Sequence, residues 1–335
     1  MTLYLHGLGH AHPDNEITND FLESLDIGTS HEWIMERVGI HSRRTALPLS
    51  YIRETHNRDP RAALEAAEYS NADLGKLAVE MAVERAGISI SEIGMLVGGG
   101  CAPDTVSPAE ACNVGRKLGL EVPCFDINSA CTSFFAGVTA LSMMSPEKLP
   151  EYVALVATDA MTRTVDYSDR NAAVLWGDGA AAAVISARVP SRARILSASF
   201  ESNPGGADKV RVPRLGHFVQ DGRQVQMFAI KKTTERLKSL QARHQSGARN
   251  FRFIGHQANL RMLETVCKRC DIPPEFHHYN VDQYGNTGGA SAASVLSMNS
   301  WGSRDDVAMV GVGSGLAWSS YLVRFDSSNA GSTGR

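Results

Sequence analysis

The feature that most constrains this 335-residue chain is that its second half repeats its first. Val153-Ala154-Leu155-Val156 recurs as Val307-Ala308-Met309-Val310, Ala140-Leu141-Ser142-Met143 as Val295-Leu296-Ser297-Met298, and Val83-Glu84-Arg85 as Thr234-Glu235-Arg236, at offsets of 154, 155 and 151 residues. Between them, residues 114–120 running into Phe125-Asp126-Ile127-Asn128 parallel residues 266–272 running into Tyr279-Asn280-Val281-Asp282. Order kept at a near-constant offset marks a duplicated unit, and a chain this long outgrows one core, which stops growing at about 250–300 residues. The boundary is expected within residues 187–195, where Pro190 and the arginines 188, 192 and 194 interrupt the pattern, giving halves 1–188 and 189–335.

Each copy reads as helix, strand, helix, strand, helix, strand. In the first half these are residues 74–86, 93–98, 108–118, 122–127, 131–144 and 152–158; in the second, 227–242, 251–255, 260–270, 277–281, 288–298 and 307–311. Strands and helices alternating in this way predict a layered α/β fold with buried sheets. The helix after Cys131 (Phe134, Phe135, Val138, Leu141) and its counterpart (Ala290, Ala292, Ala293, Val295, Leu296) carry almost no charge. A helix apolar all round is interior, so both are expected between two sheets, in five layers α-β-α-β-α.

With 33 basic against 36 acidic residues and a net charge of -3, the chain is not a nucleic-acid binder working by bulk electrostatics. Its longest apolar stretches fall far short of the roughly 20 residues that cross a bilayer, so no membrane span is expected. Residues 1–12 lack a signal-peptide pattern and read as a strand (Leu3, Leu5, Leu8) ending in a polar turn that takes in His10 and His12, which predicts a cytoplasmic protein. Six cysteines are too few for a disulfide framework and are expected to be reduced.

Cys131 lies where a strand ends and a buried helix begins. Unpaired amides and about half a positive charge at a helix N-terminus favour thiolate over thiol, as a nucleophile requires. An arbitrary cysteine is more often a small buried hydrophobe, but the company here is unusual. Gly255-His256-Gln257-Ala258-Asn259-Leu260-Arg261 follows the strand equivalent to 93–98, and Tyr284-Gly285-Asn286-Thr287-Gly288-Gly289 precedes the second buried helix. The duplication sets Asn286 opposite Cys131 and brings His256 in on the neighbouring strand.

In these runs the chain resembles the β-ketoacyl-acyl-carrier-protein synthase III family of the thiolase superfamily. The likeness extends over Glu32-Trp33-Ile34 with Arg37, Gly39-Ile40, Ala130-Cys131, Trp176-Gly177-Asp178-Gly179-Ala180, the His256 and Asn286 runs, and the loop of residues 311–315. It implies a thiolase-like fold and a homodimer. It also implies that Cys131 takes an acyl group from acyl-CoA, with its own amide and one from Gly313-Ser314-Gly315 holding the oxyanion. His256 and Asn286 would stabilise the enolate formed when a malonyl thioester, expected to be on acyl carrier protein, loses carbon dioxide. The resemblance assigns Trp33, Arg37 and Arg163 to CoA, Asn259 to its pantetheine arm and Arg261 to carrier-protein docking. No metal or other cofactor is expected.

Two departures bear on specificity. Ser314 stands where the family carries glycine, which reduces freedom in φ. Residues 48–71 exceed the usual length between their neighbours, and their alanine and leucine spacing predicts an added amphipathic helix and a specialised substrate. The rival to condensation keeps the acyl-cysteine and passes its acyl group to a non-malonyl acceptor. A non-catalytic partner subunit would have lost the triad, which is complete here, and a thiolase would carry a second cysteine in a glycine-rich motif near the C-terminus. Cys267 and Cys270 followed by His277 and His278 lack the two ligand pairs at defined spacing of a zinc site, and the duplication places both cysteines in a helix and both histidines at a strand start.

Overall fold

The structure, a computed structural model, describes residues 1–214 and 216–327. Nine strands form one sheet: β1 (Leu3–Ala11), β2 (Ile93–Gly98), β3 (Cys124–Asp126), β4 (Tyr152–Ala160), β5 (Asp178–Ser186), β6 (Ala193–Ser202), β7 (Asn250–Gly255), β8 (Asp305–Gly313) and β9 (Ala317–Phe325). Their order is β7-β8-β9-β6-β1-β5-β4-β2-β3. Strands β3, β2 and β4 are parallel, with β5 and β1 antiparallel beyond them. The other end repeats this: β7 and β8 are parallel, with β9 and β6 antiparallel beyond. The two series meet where β1 pairs with β6 over Leu3, Tyr4 and Leu5.

Alternation along equivalent strands shows the layering. On β4, Ala154 and Val156 pack with Leu74, Val79 and Val114, from α2 (Asn71–Ala86) and α3 (Glu110–Leu118). Val153, Leu155 and Ala157 point the other way, onto α4 (Ser133–Met143) and α7 (Ser291–Met298). Val307 and Met309 of β8 meet those central helices from the opposite side, while Ala308 and Val310 face α5 (Gly222–His244) and α6 (Leu260–Arg269). The two series of the one sheet therefore act as separate layers, in the order α2/α3, first series, α4/α7, second series, α5/α6. Both faces of β4 and β8 are covered, so their sequences are apolar without alternation. Phe134 and Phe135 of α4 are buried, each contributing about 1.5–3 kcal/mol. A Cβ at Gly7 or Gly9 of β1 would lie within 2.0 Å of a carbonyl oxygen of α2, so only glycine lets helix and strand touch there.

Several local expectations are corrected. Residues 48–71 form two short helices, Leu49–Thr55 and Ala62–Ala66, because His56 and Asn57 both adopt φ 51 and break the run. The strand expected at 277–281 is one bridge, His277 to Phe253, followed by a short helix Val281–Tyr284. Gln257 Oε1 accepts from the amides of Asn280 and Val281 and turns the chain out of the sheet. His10 belongs to β1 rather than to a turn, and His12 beyond it is stacked on Tyr284. Among the described residues no helix is long and apolar enough to cross a membrane.

Candidate active site

Cys131 lies in the 3-10 turn Ala130–Thr132 that leads into α4. Ala130 holds φ 48, a strained position for a side chain that costs roughly 1–3 kcal/mol. Its amide donates to Asn128 Oδ1 at 3.0 Å and its carbonyl accepts from Ser133 Oγ at 2.7 Å, which fixes the turn. The end of β8 closes against it, since a Cβ on Gly313 would sit 3.2 Å from the Thr132 amide nitrogen and 3.3 Å from Cys131 Cβ.

The Cys131 sulfur lies 3.5 Å from the sulfur of Cys101, in the loop after β2. The sulfur contact with Cys101, together with His256 nearby, holds the Cys131 pKa well below the ordinary thiol value against the opposing effect of burial. The same contact, with burial and the neighbouring Asp159, raises Cys101. Cys131 is thus the more acidic of the two thiols. Cys101 carried no signal in the sequence beyond being a cysteine after a strand.

His256 follows β7, its amide donating to Val310 O of β8. Ser291 Oγ, at the start of α7, occupies its Nδ1 at 2.9 Å, which leaves Nε2 as the free ring nitrogen. Asn286 bridges to Trp176, and its Oδ1 accepts from the Gly288 amide at 3.0 Å. That bond fixes the flip, so Nδ2 is the group left to donate. Asp159, at the end of β4, was not foreseen. Its carboxylate accepts from the amides of Cys101 at 2.5 Å, Ala102 at 3.1 Å and Gly289 at 2.6 Å, tying the Cys101 loop to the start of α7. Burial pushes its pKa up to about 7.

Cys131, His256, Asn286, Gly313 and Ser314 line one cavity of 460 Å³. Leu175, Phe218, Phe228, Met262, Val312 and Leu316 supply much of its apolar wall. Ser314 is not strained, because the left-handed position of the loop falls on Gly315 at φ 129. Its hydroxyl donates to Val210 O at 2.6 Å, so the serine anchors the loop and leaves the amides available.

Trp33 and Arg37, of α1 (His31–Arg37), also line the cavity, with the Arg37 guanidinium 4.7 Å from the indole centroid. The second cation on that indole is Arg170, at 4.8 Å. Arg163 does not reach the cavity: it is buried and ion-paired to Asp104 at 2.6 Å. Both arginines follow β4, but the 3-10 turn Met161–Thr164 directs the first inward, whereas Arg170 is exposed at the start of a short helical turn whose alanines are buried. Asn259 lines the cavity and caps α6, its Oδ1 accepting from Met262 N. Arg261 donates to Met35 O and pairs with Glu264, which binds α6 to α1 while its side chain stays partly exposed. Residues 48–71 contribute nothing to the cavity wall, which removes the structural basis for linking them to substrate choice. Asn57 instead donates to the carbonyls of Arg163 and Val165, bracing the loop after β4.

An acidified cysteine at a helix N-terminus, sharing one cavity with an imidazole and a carboxamide from the other half of a duplicated five-layer fold, defines an acyl-transferring condensing enzyme of the thiolase type. Residues 125–204 match the family described as 3-oxoacyl-(acyl-carrier-protein) synthase III, and residues 250–325 its C-terminal family. A β-ketoacyl-(acyl-carrier-protein) synthase III of Syntrophomonas wolfei is 31% identical across 97% of this chain and 98% of its own. The 3-oxoacyl-(acyl-carrier-protein) synthase III of Aquifex aeolicus VF5 superposes with a TM-score of 0.84 at 26% identity, covering 96% of this chain and 100% of that one. The priming β-ketosynthase of the R1128 polyketide pathway gives 0.81 at 26% identity, covering 97% and 96%. The chain belongs to the β-ketoacyl-acyl-carrier-protein synthase III family.

Proposed function

We propose that the protein loads an acyl group from acyl-CoA onto Cys131 and condenses it with a malonyl thioester carried by acyl carrier protein. The observation that carries this reading is the convergence of Cys131, His256 and Asn286 on one apolar-walled cavity with a cation-flanked indole along it.

Loading begins with the Cys131 thiolate attacking the thioester carbonyl. The tetrahedral oxyanion accepts from the Cys131 amide and from an amide of the loop that Ser314 anchors. Collapse expels the CoA thiolate and leaves an acyl thioester on Cys131. Trp33 offers a face for adenine, Arg37 and Arg170 offer charge for phosphates, and Asn259 a polar contact for the pantetheine arm. The malonyl thioester then places its carbonyl oxygen between His256 Nε2 and Asn286 Nδ2. Its carbon–carboxylate bond breaks, carbon dioxide leaves, and both donors stabilise the enolate. A donor of this kind is typically worth about 10²–10³ in rate. The enolate carbon attacks the acyl carbonyl and Cys131 leaves as thiolate. No electrons are gained or lost overall, so the reaction as written requires no redox cofactor. Arg261 adds a partly exposed cation for an acidic carrier, and a second copy of the chain completes a homodimer.

Incubation with a panel of acyl-CoAs, followed by intact-protein mass spectrometry, tests the first step. A covalent acyl shift is expected that Cys131→Ala abolishes, and persistence of the shift in that variant refutes the assignment. Carbon dioxide release from malonyl thioester tests the second step: an enzyme that loads but releases none transfers its acyl group to another acceptor.

A further inference from the structure

We propose that Cys101 is a resolving thiol for Cys131, so that a peroxide converts the pair into a reversible disulfide that stops catalysis and protects the nucleophile.

The two sulfurs touch at 3.5 Å, and Cys101 has no place on the cavity wall that Cys131 lines. A small oxidant entering by the substrate route therefore meets Cys131 first. Cys101 is held in place from its backbone: its amide and that of Ala102 donate to Asp159, and Asn71 Nδ2 donates to Ala102 O at 2.8 Å. Packing alone needs only a small apolar group at this position. Two cysteine sulfurs in contact are instead placed to join once an oxidant has acted on one of them. Burial raises Cys267 to about 12 and also raises Cys270, so that pair lacks thiolate character.

The chemistry balances with hydrogen peroxide as oxidant. The Cys131 thiolate attacks one peroxide oxygen, the oxygen–oxygen bond breaks, and sulfenic acid forms with release of hydroxide; the sulfur loses two electrons and the peroxide gains them. The Cys101 sulfur then attacks the sulfenic sulfur. Its proton goes to the departing hydroxyl, water leaves, and the sulfur–sulfur bond forms. A dithiol reverses this through two exchanges, becoming a disulfide itself. Without Cys101 the sulfenic acid takes further oxygen to sulfinic acid, which dithiols do not reduce. An acyl group on Cys131 removes the thiolate and blocks the first step.

This inference rests on the reading of Cys131 as nucleophile, so acyl loading of the reduced protein is measured separately. The full chain is treated with hydrogen peroxide, with and without prior acetyl-CoA, quenched by alkylation and peptide-mapped. The expected wild-type product has lost two hydrogens, yields one crosslinked peptide pair containing Cys101 and Cys131, and recovers full activity in dithiothreitol. Acetyl-CoA prevents its formation. Cys101→Ala is expected to gain two oxygens at Cys131 and to recover almost none of its activity, with Cys101→Ser as the closer isostere if the first fails to fold. The proposal is overturned if wild-type Cys131 accumulates as sulfinic acid while Cys101 is alkylated, or if Cys101→Ala recovers as fully as wild type. Acyl loading without the crosslink refutes this proposal alone, and the crosslink without loading refutes the catalytic reading alone.

Discussion

Replacing Asp159 with asparagine sets two opposing effects against each other, and pH decides which prevails. The carboxylate accepts three backbone hydrogen bonds, two on Oδ1 from the Cys101 loop and one on Oδ2 from Gly289. With its oxygen kept on the loop amides, the introduced asparagine turns its NH₂ toward the Gly289 amide, so one buried donor loses its acceptor, at a cost of about 1–3 kcal/mol. Against this stands the charge itself. Burial raises the Asp159 pKa from 3.8 to about 7, so the folded protein binds the proton more tightly than the unfolded chain. The stability gained from that bound proton is full below the unfolded pKa and declines as pH rises, until it is lost above about 7. At about 1.36 kcal/mol per unit, the decline between about pH 5 and about pH 7 is roughly 3 kcal/mol. Asparagine carries no such term. The variant is therefore expected to be less stable than wild type near pH 5 and to gain roughly 3 kcal/mol relative to it near pH 8. Burial also raises Asp178 to about 6 and lowers His12 to about 4, but both are present in both proteins and cancel in the difference. Parallel urea melts near the two pH values, compared through their midpoints at constant slope, measure the swing. A stability difference that does not change with pH refutes the assignment of the buried charge to Asp159.

Asn286→Asp keeps the acceptor for Gly288 but loses the donor, so condensation is expected to fall about 10²–10³-fold while single-turnover acyl loading survives; equal loss of both steps would remove Asn286 from the enolate site. Arg170→Ala is expected to raise KM for acyl-CoA about 2–5-fold, as for loss of one exposed cation–π contact or phosphate partner, with little change in kcat, whereas Arg163→Ala uncouples a buried ion pair and costs about 3–5 kcal/mol of stability, read as a lowered Tm. Ser314→Gly removes the bond to Val210 and loosens the loop, for a loss of about 1–2 kcal/mol in Tm-derived stability, with acyl loading retained because the amides remain.

The duplicated frame was legible because its strongest signals come from groups whose environment is the same on every side. Val153 to Val156 and Val307 to Val310 are covered on both faces, and α4 and α7 lie between the two strand series, so burial imposes apolar sequence there whatever the details of packing. Cys131, His256 and Asn286 were legible for a related reason: each ends a strand or begins a helix of that frame, so fixing the frame fixed them. Residues whose roles depend on direction within a turn were not legible. Arg163 and Arg170 are the same residue type in the same connection, and what separates them is Asp104, brought alongside from the loop after β2. Residues 48–71 have helical spacing, yet two left-handed residues at His56 and Asn57 divide them, and Asn57 is held by the carbonyls of Arg163 and Val165.

Asp159 and Cys101 show why a site can be named from sequence before its electrostatics can. An aspartate ending a strand reads as a polar loop residue until the fold brings three amides from both halves to it. Once there, its charge would oppose a thiolate on Cys131, and that repulsion is one of the causes that raise its pKa. Cys101 bridges the two groups: its amide donates to the carboxylate, and its sulfur contact with Cys131 lowers the Cys131 pKa. A hydrophobic replacement at Cys101 would keep the first of these contacts and lose the second. Its expected consequence in the reduced enzyme is a less acidic nucleophile, seen as a shift to higher pH in the rate of Cys131 alkylation; an unchanged profile would mean that His256 and the helix terminus set the thiolate without it.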